Sequence, residues 1–148
     1  MHPKDKLTED LKVAMKAGDV PRREALRMLT SAIKQIEVDT RKTLTEDELY
    51  TLLQKEAKKR RESVAEAEKL GRSDIAEKEQ YEVTLIESYL PQQLTREEIE
   101  IEVRKAVAEA GVTDAKGMGS VMKILSPRLK GRADGKLVNE VVKAVLNG

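Results

Sequence analysis

The chain has 148 residues, 39% of them hydrophobic and 37% charged, with three tyrosines and no phenylalanine, tryptophan or cysteine. That length holds one domain or two small ones, and the lack of cysteine excludes disulfides, thiolate catalysis and zinc-thiolate sites. A formal net charge of +1 gives the molecule as a whole no pull towards nucleic acid or membranes, so any such affinity must be local.

The apolar residues recur with helical spacing throughout, which predicts an all-α protein with a core of leucine, isoleucine, valine, alanine and methionine. His2 is the single histidine; a terminus expected to fray cannot supply a histidine triad or a histidine metal site. Pro3 suits a first helical turn, and Leu7, Leu11, Ala14 and Met15 outline a short helix ending near Gly18. Asp19-Val20-Pro21 starts a second helix, whose apolar stripe is Leu26, Leu29, Ala32, Ile33 and Ile36. Its bases, Arg22, Arg23, Arg27 and Lys34, read as a solvated face.

Thr45 followed by Glu48 is a capping box and launches the longest helix, up to about Leu70 before Gly71. Its stripe runs Leu49, Leu53, Ala57, Arg60, Val64 and Ala67. Lys58-Lys59-Arg60-Arg61 looks like a nucleic-acid patch, but at 100° per residue the four side chains fan out, and Glu56 and Glu62 flank them. After the tight Gly71-Arg72-Ser73-Asp74 connection, Ser73 or Asp74 can cap a fourth helix carrying Ile75, Val83, Ile86 and Leu90. If these two helices form an antiparallel hairpin, Arg60 falls beside Glu82 and one turn from Glu79. A semi-buried structural ion pair is preferred there to a catalytic carboxylate pair.

Pro91 ends the fourth helix, and Thr95 with Glu98 forms a second capping box. The expected organisation is therefore a four-helix N-terminal domain with a long helical hairpin, residues 1–92, and a three-helix tail domain, residues 93–148. In the tail, Ile99, Val103, Ala106, Val107 and Ala110 face inward up to Gly111. Met118, Val121, Met122 and Leu125 follow, and Pro127 ends that helix or opens a further turn. Asp134 can cap the last helix, with Val138, Val141, Val142 and Val145 on its inner face. The methionines read as core, and no cofactor box is visible.

One stretch is electrostatically lopsided. Lys116, Lys123, Arg128, Lys130, Arg132 and Lys136 lie within or beside Gly117–Leu137, against a single acid, Asp134. A polyanion would meet its most concentrated positive field there. Gly117 and Gly119 lack the strand and third glycine of a dinucleotide fingerprint; they open a helix, where backbone N–H groups could hold a phosphate or a small residue could serve helix packing. Ser120 and Lys123 match an S-x-x-K pattern without its companion motifs, and no carboxylates cluster with metal-site spacing. With no tyrosine in the basic stretch there is no stacking platform for single strands, which leaves the backbone and shape of a folded RNA.

Tyr89-Leu90-Pro91, the Met118–Pro127 segment and the run from Lys130 through Asp134-Gly135-Lys136-Leu137-Val138-Asn139 together resemble the GatB/YqeY family, in particular its stand-alone YqeY-like bacterial members. The likeness extends over essentially the whole chain, including Arg22–Glu37, Lys55–Glu62 and Gly71–Asp74. It implies a helical domain followed by a tail similar to the one that ends the B subunit of glutamine-dependent tRNA amidotransferases, where it helps hold misacylated tRNA. The family label, carbon-nitrogen ligase with glutamine as amido donor, describes that relative, because no nucleophile, ATP loop or metal set is seen here.

By motif position, the resemblance marks Lys123, Lys130, Arg132 and Lys136 as tRNA-contact candidates, with Gly117 and Gly119 as the backbone approach and Lys116 and Arg128 matching more loosely. The functional expectation is a non-catalytic tRNA-binding or amidotransferase-related accessory protein. Its partners would be tRNA and a tRNA amidotransferase or aminoacyl-tRNA synthetase, with no cofactor and no metal. The competing expectation is a helical protein-interaction module. The opening residues lack the apolar core of a secretion signal, and no apolar run approaches the roughly 20 residues of a membrane span, so a soluble cytoplasmic protein is expected.

Overall fold

The computed structural model describes residues 2–147. All regular structure among them is helical: α1 (Pro3–Ala17), α2 (Val20–Thr40), α3 (Glu46–Lys69), α4 (Ser73–Glu87), α5 (Arg96–Ala110), a single 3-10 turn (Ala115–Gly117), α6 (Met118–Leu129) and α7 (Gly135–Asn147). The chain divides into two compact units, with the break between Tyr89 and Leu90. The expected boundary lies at 92; Gln93 donates both to Pro91 O and to Gly131 O, which ties the segment just after the break to the C-terminal unit.

In the N-terminal unit α1 packs on α2, α3 runs along α4, and α1 also touches α3. The buried residues are the periodic ones: Leu7 and Ala14 of α1, Leu26, Leu29 and Ile33 of α2, Leu49, Leu53, Ala57 and Ala67 of α3, Val83 and Ile86 of α4. Two stripe assignments fail. Met15 is 51% exposed and Ile75 39%. The α4 register instead turns Ala76 inward, seven residues or about two helical turns before the buried Val83.

The helix ends follow local chemistry, with some departures. Thr45 and Glu48 close the expected capping box of α3, and Asp19 accepts from the Arg22 N–H at the start of α2. His2 does not behave as a frayed end, since its Nδ1 accepts from the Lys4 N–H at 3.1 Å and caps α1. Neither Ser73 nor Asp74 is the cap of α4. Arg72 occupies that position without a side-chain capping bond, as Gly71 at φ 70° has already turned the chain and the Arg72 N–H is spent on the Ala67 carbonyl.

The C-terminal unit packs α5 against both α6 and α7, and α6 against α7. Its core is Ile99, Val103, Ala106, Val121, Leu125, Leu129, Val138, Val141 and Val142, with Met118 and Met122 half-buried against it. The Thr95–Glu98 capping box starts α5. Pro127 does not end α6. It lies inside the helix, which runs on to Leu129; in the last turn a missing N–H costs one bond, and the burial of Leu129, 4% exposed, favours completing the turn. Because this unit holds a closed apolar core of its own, residues 90–148 expressed alone should give a cooperative helical melt by circular dichroism. A broad, non-cooperative transition would show that the tail needs the preceding helices.

Candidate functional site

The basic stretch is built around the corner between α6 and α7. α6 ends at Leu129; Lys130 is extended, Gly131 reaches φ 75°, and α7 starts at Gly135. Only glycine enters that left-handed region without steric cost, and here it lets the chain reverse within a few residues. The Arg132 N–H donates to the Leu129 carbonyl at 2.9 Å, the Leu94 N–H donates to the Arg132 carbonyl at 2.9 Å, and Val138 donates to Asp134 at 3.0 Å. The Gln93 amide adds two bonds, to Pro91 O at 2.8 Å and Gly131 O at 2.6 Å. The basic loop is therefore a fastened turn.

From this corner Lys130 and Lys136 are exposed and Arg132 is half-buried. Lys123, also exposed, lies on α6 seven residues before Lys130. Arg128 is already engaged: its Nη1 and Nη2 donate to Glu109 Oε2 and Oε1 at 2.6 and 2.8 Å. The fork-to-fork pair holds the Glu109 carboxyl below its ordinary range and the guanidinium above its own. Lys116 stands apart in the 3-10 turn, whose backbone N–H accepts no role in ligand capture because Asp114 Oδ1 takes it at 3.0 Å.

The two glycines separate cleanly. A Cβ on Gly117 would lie 2.3 Å from Val112 Cβ, whereas one on Gly119 would meet nothing within 4 Å. Gly117 is thus needed for close packing, while Gly119 stands in open space in the first turn of α6. Gly117→Ala should destabilise the C-terminal unit by about 1 to 3 kcal/mol, and Gly119→Ala should be neutral or slightly stabilising. Thermal melts of the two variants check this; equal melting temperatures would remove the packing role.

In the N-terminal unit Arg60 and Glu82 are both buried, 8% and 7% exposed. Arg60 Nε donates to Glu82 Oε2 at 2.8 Å, and its Nη1 donates to the Glu56 carboxylate and, at 3.3 Å, to the Glu56 carbonyl. Burial alone would lower the arginine pKa; the bonds to Glu56 and Glu82 outweigh it and raise it. Glu56, four residues earlier on α3, fills the place expected for Glu79, which is only half-buried on α4. The i,i+4 spacing of Glu56 and Arg60 was the available signal. Among the described residues no three or more histidine, aspartate or glutamate side chains gather to hold a metal, and no helix is long and apolar enough to cross a membrane.

Elsewhere in this unit Glu37 accepts from Lys4 Nζ at 2.6 Å and from the Leu44 N–H at 2.8 Å, which keeps its carboxyl below the usual range. Burial and a hydrogen bond to Asp10 push the Tyr89 phenol up. These groups tie α1 to α2, to the chain following α2 and to the segment after α4, and Lys4 and Glu37 line a cleft between α1 and α2 together with Thr8, Thr30, Ile33 and Lys34.

The family described as Yqey-like protein matches residues 4–146. The chain belongs to that family. It is also similar to fungal proteins named "Altered inheritance of mitochondria protein 41, mitochondrial". Identity is 39% over 99 residues with that of Lachancea thermotolerans, covering 66% of this chain and 53% of the relative. It is 40% over 101 residues with that of Kluyveromyces lactis, covering 66% and 54%. With that of Pyrenophora tritici-repentis it is 29% over 143 residues, covering 95% and 79%.

This Yqey-like chain thus spans about half the length of the first two curated relatives. Their names correct the cytoplasmic expectation, since they are mitochondrial proteins, and they are fungal where bacterial relatives were expected. The family match does not by itself reach the amidotransferase tail.

Proposed function

We propose that this Yqey-like protein is a non-catalytic tRNA-binding accessory protein that holds the folded backbone of tRNA at the α6–α7 corner of its C-terminal unit. The observation that supports this reading is the fastened turn that carries the exposed Lys130 and Lys136 and the half-buried Arg132, with Lys123 exposed on the preceding α6, while Arg128 is paired with Glu109. A rigid turn loses little entropy when its bases meet phosphates. The likeness of the tail to the end of the amidotransferase B subunit supports tRNA as the polyanion, and makes a tRNA amidotransferase or aminoacyl-tRNA synthetase the natural protein partner. Equilibrium binding of tRNA measured across salt concentrations tests the proposal.

A second reading has its own observation. Most large apolar side chains left exposed lie in the N-terminal unit, among them Val13, Met15, Val20, Met28, Val38 and Leu70, and scattered apolar exposure of this kind supports a helical protein-interaction module. Failure to bind tRNA even at low salt would favour it.

A further inference from the structure

The basic turn is held by a residue that carries no charge. The Gln93 carboxamide nitrogen directs its two hydrogens to two carbonyls, Pro91 O at 2.8 Å and Gly131 O at 2.6 Å. The first bond folds the Pro91–Leu94 segment back on itself. The second reaches across to the one residue of the turn with a left-handed backbone, Gly131 at φ 75°. Next to it, the Leu94 N–H takes the Arg132 carbonyl at 2.9 Å, and the Arg132 N–H is taken by Leu129 O at 2.9 Å. Arg132 therefore has both backbone polar groups committed, and the peptide between Gly131 and Arg132 is gripped from its carbonyl side.

Gly131 is buried while Lys130 is exposed, so the peptide planes of the turn decide where the flanking bases project. A glycine left without this grip can visit several backbone wells, and the two side chains would sample directions of which only a fraction meets a phosphate. We infer that Gln93 is a positioning residue for polyanion binding: its clasp on Gly131 O presets the Lys130-Gly131-Arg132 turn in the conformation that binds. This rests on the tRNA-binding reading proposed above.

The test uses the full chain, unfractionated tRNA as the probe, and Gln93→Met, which keeps the side-chain length and removes both donors. Loss of one or two net hydrogen bonds' worth of preorganisation should weaken binding by about 3- to 10-fold. The log-log salt slope should stay unchanged, because no charge has been removed. Amide hydrogen exchange at Leu94 and Arg132 should accelerate, with Val138, Val141 and Val142 unaffected. A purely structural role would instead lower the melting temperature of the whole unit and leave affinity intact.

The outcomes separate the two ideas. If wild-type protein binds tRNA, and Gln93→Met loosens the turn by exchange without weakening binding, the positioning role is overturned and tRNA binding stands. Unchanged exchange at Leu94 and Arg132 overturns the clasp itself. If wild-type protein binds no tRNA at low salt, the binding reading fails and takes the positioning role with it, whatever the exchange data show about the clasp.

Discussion

Replacing Lys130 and Arg132 together with glutamate should weaken tRNA binding by roughly 10- to 100-fold near physiological salt and flatten the salt dependence by about two units of log-log slope. The wild-type slope should lie between about −2 and −5, as expected if Lys123, Lys130, Arg132 and Lys136 release counterions from a handful of phosphates. Binding should tolerate changes in base sequence, because nothing in the turn offers aromatic stacking. The melting temperature should hardly move. The bonds that fasten the turn are made by the Arg132 backbone, the Gly131 carbonyl, Leu94 and Gln93, and these survive the substitutions. Lys58 and Lys59 to glutamate is the control: both lie on the exposed side of α3, beside Glu56 and Glu62. Equal losses from both double variants would mean diffuse electrostatics and would sink the corner site.

Arg60→Ala should cost the N-terminal unit about 3 to 5 kcal/mol, the range for breaking a buried ion pair by removing one partner. The substitution strands the buried Glu82 and withdraws the donor that Glu56 faces. Burial without a partner is what makes the loss large. Combining Arg60→Met with Glu82→Leu should therefore recover much of it, since a well-packed apolar pair avoids the desolvation cost of both charges. Urea melts of the two single variants and the double variant give the coupling energy. Additive losses would show that Arg60 and Glu82 act independently, contrary to the 2.8 Å bond.

Changing Arg60 should leave tRNA affinity unaltered at temperatures where the variant stays folded. That contrast matters for the functional reading. Arg60 lies within the most basic run of the sequence, Lys58–Arg61, yet its charge is consumed internally, whereas Lys123, Lys130 and Lys136 near the α6–α7 corner have exposed side chains.

Much of the architecture was legible in the residues themselves because helices are local objects. Thr45 with Glu48 and Thr95 with Glu98 mark helix starts through bonds spanning only three residues, and Gly18, Gly71 and Gly111 mark ends by adopting positive φ. The 3.6-residue period then points to Leu26, Leu29 and Ile33, or Val138, Val141 and Val142, as inward faces. Period alone is ambiguous at the edge of a stripe, where 100° of rotation separates neighbours; hence Met15 and Ile75 were misjudged. Of the two readings open at Pro127, the further turn is the one that forms, where the burial of Leu129 outweighs one missing backbone bond.

For the candidate site, sequence alone determined which bases are crowded together, a property of composition along the chain. It could not determine which of them remain available to a ligand. That was decided by contacts between residues far apart in sequence: Arg128 with Glu109 across two helices, Gln93 and Leu94 with the Gly131–Arg132 turn, and Arg60 with Glu82 across the hairpin. Each depends on the angle and depth at which helices pack. Helical period fixes which face turns inward, but the partner that meets each side chain there is set only when the cores of the two units close.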